Sequence, residues 1–339
     1  MKDLLKLLCE TDGTSGREAP VREKILSLIG DGHETTVDPL GNLIVNVRGK
    51  RRAKHKVMLC AHMDEVGVIA THITGAGLVK FTTVGGIRPE SLLGKTVRFE
   101  NGVIGAVGVK PVHLCGGDER SRLPEVKDMY LDIGADGKEA AEALVAPGDT
   151  AVFTSKWTEM GDKLLSKAID DRAGCAVMVD MINKGVEVDL TFVFNTMEEV
   201  GLRGSRASAF TVAPEYAIVL EGTTAADVIG VPPENRVCVL GKGAVVNFMD
   251  RATVYDKTLY RKAFDVAEAN GIALQAKAAV AGGNDAGSIH VSRGGVKTLT
   301  LNVPTRYIHS PSSVCDVNDL LSLRALAEKT AEAFADGDA

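Results

Sequence analysis

Four short segments of this 339-residue chain place histidine and carboxylate side chains directly behind apolar, strand-like runs. They are Leu59-Cys60-Ala61-His62-Met63-Asp64-Glu65, Ala168-Ile169-Asp170-Asp171-Arg172, Phe194-Asn195-Thr196-Met197-Glu198-Glu199-Val200 and Arg306-Tyr307-Ile308-His309-Ser310. Each alone has a plain structural explanation. A His-x-Asp step is commonly a hydrogen-bonded pair. One of Asp170 and Asp171 can cap a helix. Glu198-Glu199 can be an exposed strand end, and His309 a turn residue. Together they offer more. Imidazole and carboxylate suit a borderline divalent metal such as zinc, cobalt or manganese. A paired-metal site needs a bridging carboxylate, terminal ligands for each ion and a base for the water. The inventory meets that demand.

Residues so far apart meet only if the fold gathers the strand ends. In a parallel sheet the carboxyl ends of the strands line the ligand crevice. Helical patterns span Leu4 to Cys9 and Glu18 to Ile29, and strands follow at Leu43 to Val47 and Val57 to Cys60. After Leu164 the two alternate: an amphipathic helix from Asp171 to Asn183, strands near Val188 to Asn195, Ala217 to Leu220 and Val296 to Asn302, and a helix from Tyr260 to Asn270. A closing helix runs from Leu320 to Phe334, with Asp316 or Asn318 as N-cap. This predicts an α/β fold with a mixed, mainly parallel sheet flanked by helices. From Val66 to about Trp157, short alternating segments separated by glycine turns read instead as a small β-rich module. Residues 1–65 and 161–339 are therefore expected to form one α/β domain, with 66–160 inserted.

Composition narrows the function classes. Charged residues make up 25% and the net charge is −6, a poor footprint for nucleic acid. No apolar stretch reaches membrane-span length, and the start is broken by Lys6, Glu10 and Asp12, so no signal peptide is read. A cytoplasmic location is the simplest expectation. Cys9, Cys60, Cys115, Cys175, Cys238 and Cys315 form no CxxC pair and several sit in apolar runs, as buried free thiols do. His33, His55, His72 and His290 have no ligand context.

His62-x-Asp64, Ala168-Ile-Asp170-Asp171-Arg172-x-Gly174, Glu198-Glu199-Val200-Gly201 and Tyr307-Ile-His309-Ser310-Pro311 stand in a familiar order and spacing. The chain resembles, over essentially its whole length, the tetrahedral (TET) aminopeptidases, the glutamyl aminopeptidase/cellulase-like metallopeptidases of clan MH. Gly282-Gly283-Asn284-Asp285-Ala286 is similar to that family's Gly-Gly-Thr-Asp-Ala segment. The resemblance implies two divalent metal ions per subunit, zinc or cobalt foremost and manganese as a third. It implies that His62 binds one metal and that Asp64 fixes the His62 tautomer. Asp170 would bridge, Glu198 would be the general base, and Glu199 and His309 would bind the second metal. The last ligand of the first metal is usually an Asp at the end of the next strand. This chain has Glu221 there, with Asp227 as the fallback. Gly283 and Asp285 are candidates for a substrate-facing loop, against an ordinary turn capped by Asn284 or Asp285. Arg306 is a candidate contact for a substrate carboxylate, against a surface salt bridge.

The resemblance further implies hydrolysis of the N-terminal residue of short peptides. It implies that the inserted module serves dimerisation, with His113 a candidate for contact with a neighbouring site, and that dimers assemble into a dodecamer. Two other readings stand beside it. One is a related two-metal carboxypeptidase or N-acyl amino acid deacylase. The other is a non-catalytic metal- or peptide-binding scaffold, which would give a base at Glu198 no duty.

Overall fold

Side chains alternate across a strand, so a strand buried on both faces feeds two cores at once. The computed structural model describes residues 1–337. Its strands in chain order are β1 (Glu34–Val37), β2 (Leu43–Val47), β3 (Val57–His62), β4 (Gly67–Ile73), β5 (Val79–Val84), β6 (Thr96–Phe99), β7 (Ile104–Gly108), β8 (Tyr130–Asp132) and β9 (Thr150–Phe153). Then follow β10 (Thr158–Met160), β11 (Lys163–Ser166), β12 (Leu190–Asn195), β13 (Tyr216–Thr224), β14 (Ala244–Val246), β15 (Leu274–Ala276), β16 (Lys297–Arg306) and β17 (Ser313–Asp316). In β3, Val57, Leu59 and Ala61 join the larger core while Met58 and Cys60 join the core of the opposite face. β13 divides the same way, Ile218 and Leu220 against Ala217 and Val219.

The large sheet runs β1-β2-β12-β3-β13-β16-β17-β11-β10, with β14 and β15 joined at β16. Its centre is parallel, through β12–β3, β3–β13 and β13–β16. The flanks are antiparallel, so the sheet is mixed and the expectation of a mainly parallel one is corrected. The reason is connection length. β1–β2 and β10–β11 are joined by short turns, and such turns allow only antiparallel pairing.

The helix Ile169–Lys184 is a second correction. It is buried nearly all round rather than amphipathic, with Ala173, Cys175 to Val179, Met181 and Ile182 all in the core. It packs between β3 and β13 on one side and the helices Lys2–Cys9, Ala19–Ile29 and Val317–Asp336 on the other. A helix in a middle layer has no wet face to keep polar. The closing helix Val317–Asp336 is capped by Asp316, which accepts from the Asn318 N–H.

Strands β4 to β9 close into a barrel in the order β4-β5-β8-β7-β6-β9, with its own core including Val68, Phe81, Val97, Phe99, Leu131 and Phe153. β10 falls within residues 66–160 but belongs to the large sheet, because it turns tightly into β11. The barrel is tied back to the rest by Arg98, whose guanidinium meets Asp12 in two bonds of 2.8 Å.

Candidate metal centre

The carboxyl ends of β12, β3, β13 and β16 carry a row of polar side chains on one face of the sheet. Asn195 is in register with His62, and Glu221 with Asn302. Val219 is opposite Cys60, so two residues further on Glu221 comes opposite His62. His62 Nε2 lies 3.1 Å from Glu221 Oε1. The loops after the strands add the remaining groups. Asp170 stands at the start of the Ile169–Lys184 helix, joined to Asp171 by a cis peptide. Asp170 Oδ1 is 3.6 Å from His62 Nε2, and its Oδ2 is 3.6 Å from His309 Nε2. His309 Nε2 in turn is 3.1 Å from Glu199 Oε1. Two donor sets thus share one carboxylate. Gly222 permits the approach: a Cβ there would meet Asp170 Oδ1 at 2.8 Å, and its N–H donates to that oxygen.

Asp171 has a different duty. It accepts from the Gly174 and His62 N–H groups and so caps the helix and holds the end of β3. Asp64 is fully buried and accepts three bonds: from the Glu198 N–H at 3.0 Å, the Glu199 N–H at 3.1 Å and the Ser15 hydroxyl at 2.6 Å. The His62 ring presents Nδ1 to the Asp64 carbonyl at 3.0 Å and to its carboxylate at 3.4 Å. Asp64 therefore fixes the Glu198-Glu199 turn as well as the ring. Burial opposes ionisation of Asp64, but His62, Ser15 and the Glu198 N–H outweigh it and hold the carboxyl below its usual range.

Three groups were not visible in the sequence. Glu18 accepts from the Met197 N–H at 3.0 Å, Ser15 serves Asp64, and the Gly86 carbonyl faces His309 Nδ1 at 2.8 Å. The Gly13-Thr14-Ser15-Gly16 turn between two helices is the only local hint of the first two. Gly86 lies just beyond β5, so the barrel itself orients a donor of the cluster.

The structure corrects or redirects other expectations. Asp227 is taken up by Arg306, at 2.6 and 2.7 Å, and by the Leu240 N–H. That leaves Glu221, not Asp227, beside His62. It also spends the fork of Arg306, which does not line the cleft, so Arg306 is a structural ion pair rather than a substrate contact. Asn284 caps the short helix Ala286–Ile289 through the Ala286 N–H, while Asp285 is buried and accepts from Asn195. Gly283 alone of that pair borders the cleft. His113 sits in a short 3₁₀ turn of the barrel and is not among the residues that border this chain's own cleft.

The cleft has a volume of about 400 Å³ and is bordered by Asp170, Glu198, Glu199, Glu221 and His309. A larger depression of about 950 Å³ lies at the opposite strand ends, around Arg52 and His55, and holds none of these groups. The donor chemistry in the cleft fits divalent metal. Among the described residues, Glu221 Oε2 is buried with no hydrogen-bond partner. Burial pushes the carboxyls of Glu198, Glu199 and Glu221 up. Burial pulls the His309 imidazole down, but Asp170 and Glu199 outweigh it and carry it up to about 11; His62 is likewise raised against its burial, by Glu221, Asp170 and Asp64. Buried carboxylates in such excess call for positive charge, and a metal ion can take the place of the imidazole and carboxyl protons.

Comparison with known proteins agrees with this geometry. The pattern of the family described as M42 glutamyl aminopeptidase matches residues 41–326. A putative aminopeptidase of Acetivibrio thermocellus is 37% identical over 95% of this chain and 97% of its own. The lysyl aminopeptidase of Pyrococcus furiosus is 31% identical, covering 97% of this chain and 96% of its own. Among solved structures, the Pyrococcus horikoshii TET1 peptidase, which can assemble into a tetrahedron or a large octahedral shell, superposes with a TM-score of 0.85 at 34% identity, over 97% of this chain and 98% of that one. A donor cluster at the strand ends, a shared fold and similarity along nearly the whole length lead to one assignment: this chain belongs to the M42 glutamyl aminopeptidase family and is a metal-dependent aminopeptidase.

Proposed function

We propose that the chain removes the N-terminal residue of short peptides at a dinuclear centre. His62 and Glu221 would hold one ion, His309 and Glu199 the other, and Asp170 would be shared between them. The observation that carries this reading is the division of Asp170, one oxygen toward each histidine at 3.6 Å. Bound there, divalent cations supply Lewis-acid polarisation of the scissile carbonyl and acidify water. Glu198 borders the same cleft, and among the described residues the two histidines pair with Asp170, Glu199 and Glu221 instead, which leaves Glu198 to act as base. It accepts the water's proton and delivers it to the leaving amine. Asp64 and Glu18 keep the turn that carries Glu198 in place. Zinc or cobalt best suits imidazole–carboxylate donors, with manganese next.

The further readings concern assembly and location. Residues 66–160 act as a dimerisation module, and dimers build a dodecamer. Exposed Ile104, Val112, Leu114 and Leu123 on the barrel support this, as does the tetrahedral assembly of the Pyrococcus horikoshii relative. Unpaired cysteines favour a cytoplasmic location, and among the described residues no helix is long and apolar enough to cross a membrane.

The test is apo-protein reconstituted with zinc, cobalt or manganese and assayed on aminoacyl-p-nitroanilides beside N-acetylated amino acids. Release from the free-amine substrates alone supports an aminopeptidase. Hydrolysis of the acetylated compounds instead would favour a deacylase. Light scattering of the native protein tests assembly, and a stable monomer would remove it.

A further inference from the structure

His309, Glu199 and Asp170 also border a further, much smaller cavity, of about 10 Å³, which they share with Glu65 and Lys167. That is about the space one water fills. We propose that Lys167 is a positioning residue of the metal centre: through one water in this cavity its ammonium orients Glu199 and Asp170 for the ion beside His309.

The placement follows from the end of β11. Lys167 is the first residue past that strand and precedes Asp170 by one short turn. Its backbone N–H donates to the Ser155 hydroxyl at 3.1 Å, which fixes where the side chain starts. The side chain is 3% exposed, and its ammonium pairs with Glu65 and, at 3.1 Å, with Asp12. An ammonium has three donors. Among the described residues the third has no acceptor. A buried donor left unpaired is costly, and the cavity is polar space that it borders.

Holding the barrel against the α/β domain is the plainer role for this lysine, but it does not exhaust the ammonium. Asp12 is already met by Arg98 in two bonds of 2.8 Å. Glu65 accepts from the Gly13 N–H at 3.3 Å and lies 3.4 Å from the Arg172 guanidinium. Two carboxylates therefore face three cations, Arg98, Lys167 and Arg172, and Lys167 keeps both charge and a proton to give. A water in the cavity would accept that proton and donate its own to a carboxylate oxygen of Glu199 or Asp170. Ligating carboxylates are oriented by such outer hydrogen bonds, and a bridging water serves nearly as well as a direct one. His62 and Glu221 do not border this cavity, so the effect falls on one ion of the two.

This inference rests on the dinuclear reading, and the experiment separates the two. Apo-protein is titrated with zinc by calorimetry, and His309→Ala identifies the step that belongs to the ion beside His309. The test variant combines Glu65→Gln with Lys167→Met, which removes one charge of each sign and leaves the net charge around the metals unchanged. The expected result is an affinity lower by about 10- to 100-fold at that step, with the other step moved by less than about threefold. Glu65→Gln alone, with the ammonium in place, should leave both steps near the wild type. An unchanged titration of the double variant would overturn the role of Lys167. So would an equal loss at both steps, the mark of a lysine that only holds the fold, or a loss as large in Glu65→Gln alone. Wild-type protein that binds fewer than two zinc ions would overturn the dinuclear reading and this inference with it. A crystal structure of the zinc-loaded wild type holds the test even if a variant fails to fold. A water bonded to both Lys167 Nζ and a carboxylate of Glu199 or Asp170 is expected there, and a dry cavity or an ammonium turned away from it would overturn the role.

Discussion

Replacing Asp64 by Asn probes how much of the centre depends on one buried carboxylate. Its two oxygens divide the work: Oδ1 takes the Glu198 N–H, and Oδ2 takes the Glu199 N–H and the Ser15 hydroxyl. Asn is nearly isosteric but offers one acceptor and one donor. Whichever way the amide turns, its NH₂ faces a backbone N–H of Glu198 or Glu199. A buried N–H robbed of its acceptor costs about 1–3 kcal/mol, or roughly 5- to 150-fold in an equilibrium constant. Part of that penalty falls on the position of Glu199, a candidate ligand, and part on Glu198, the candidate base. The loss of charge beside His62 Nδ1 adds to it. Metal affinity should therefore drop about 10- to 100-fold, as for other partners that orient metal ligands. At saturating metal kcat should still be reduced, because the base is displaced. Calorimetric titration with zinc measures the first effect and steady-state kinetics at excess metal the second, with circular dichroism to show that the variant is folded. A folded variant with wild-type metal affinity and wild-type kcat would refute the reasoning.

Glu198→Gln should retain metal and fold while kcat falls by about 10²- to 10⁴-fold, the usual contribution of a general base; stopped assays with atomic absorption on the same samples check it. Glu221→Gln should weaken metal binding, whereas Asp227→Asn should leave it intact and lower the melting temperature, since Asp227 holds Arg306 through a largely buried pair. Equal effects of the two on metal stoichiometry would contradict the assignment of Glu221. Gly85→Ala should impair the centre from within the barrel. Gly85 has φ +81°, and a Cβ there would meet Val66 at 2.8 Å and Glu199 at 3.2 Å. The expected result is lower metal occupancy and activity with a modest loss of thermal stability, of about 1–2 kcal/mol for the left-handed conformation alone.

The donor types were legible in the sequence because each follows an apolar run that ends at the same edge of the sheet. His62 and Glu221 could even be paired from strand parity once β3 and β13 are neighbours. What sequence could not supply was the partner of a backbone group. The Gly86 carbonyl has no side-chain signature, and Glu18 reads as one helix-start glutamate among many. Arg306 illustrates the converse error. A cation three residues from a candidate ligand invites a substrate role, but a carboxylate distant in sequence had already claimed it. The helix Ile169–Lys184 contains Asp171, Arg172 and Asp180, yet all three are buried, with the His62 N–H, the Met63 carbonyl and the Arg324 guanidinium among their partners.

The turn Thr196–Glu199 has a consequence for how the protein comes into being. Its four successive N–H groups are received by Asn42, Glu18 and Asp64, whose bonds span between 134 and 179 residues of chain. Contacts of such separation close late in folding, after local helices and hairpins. His309 follows all of these residues in the chain and leaves the ribosome later still. A nascent or half-folded chain therefore lacks the assembled donor cluster, which comes together only after the chain has been made through His309 and packed.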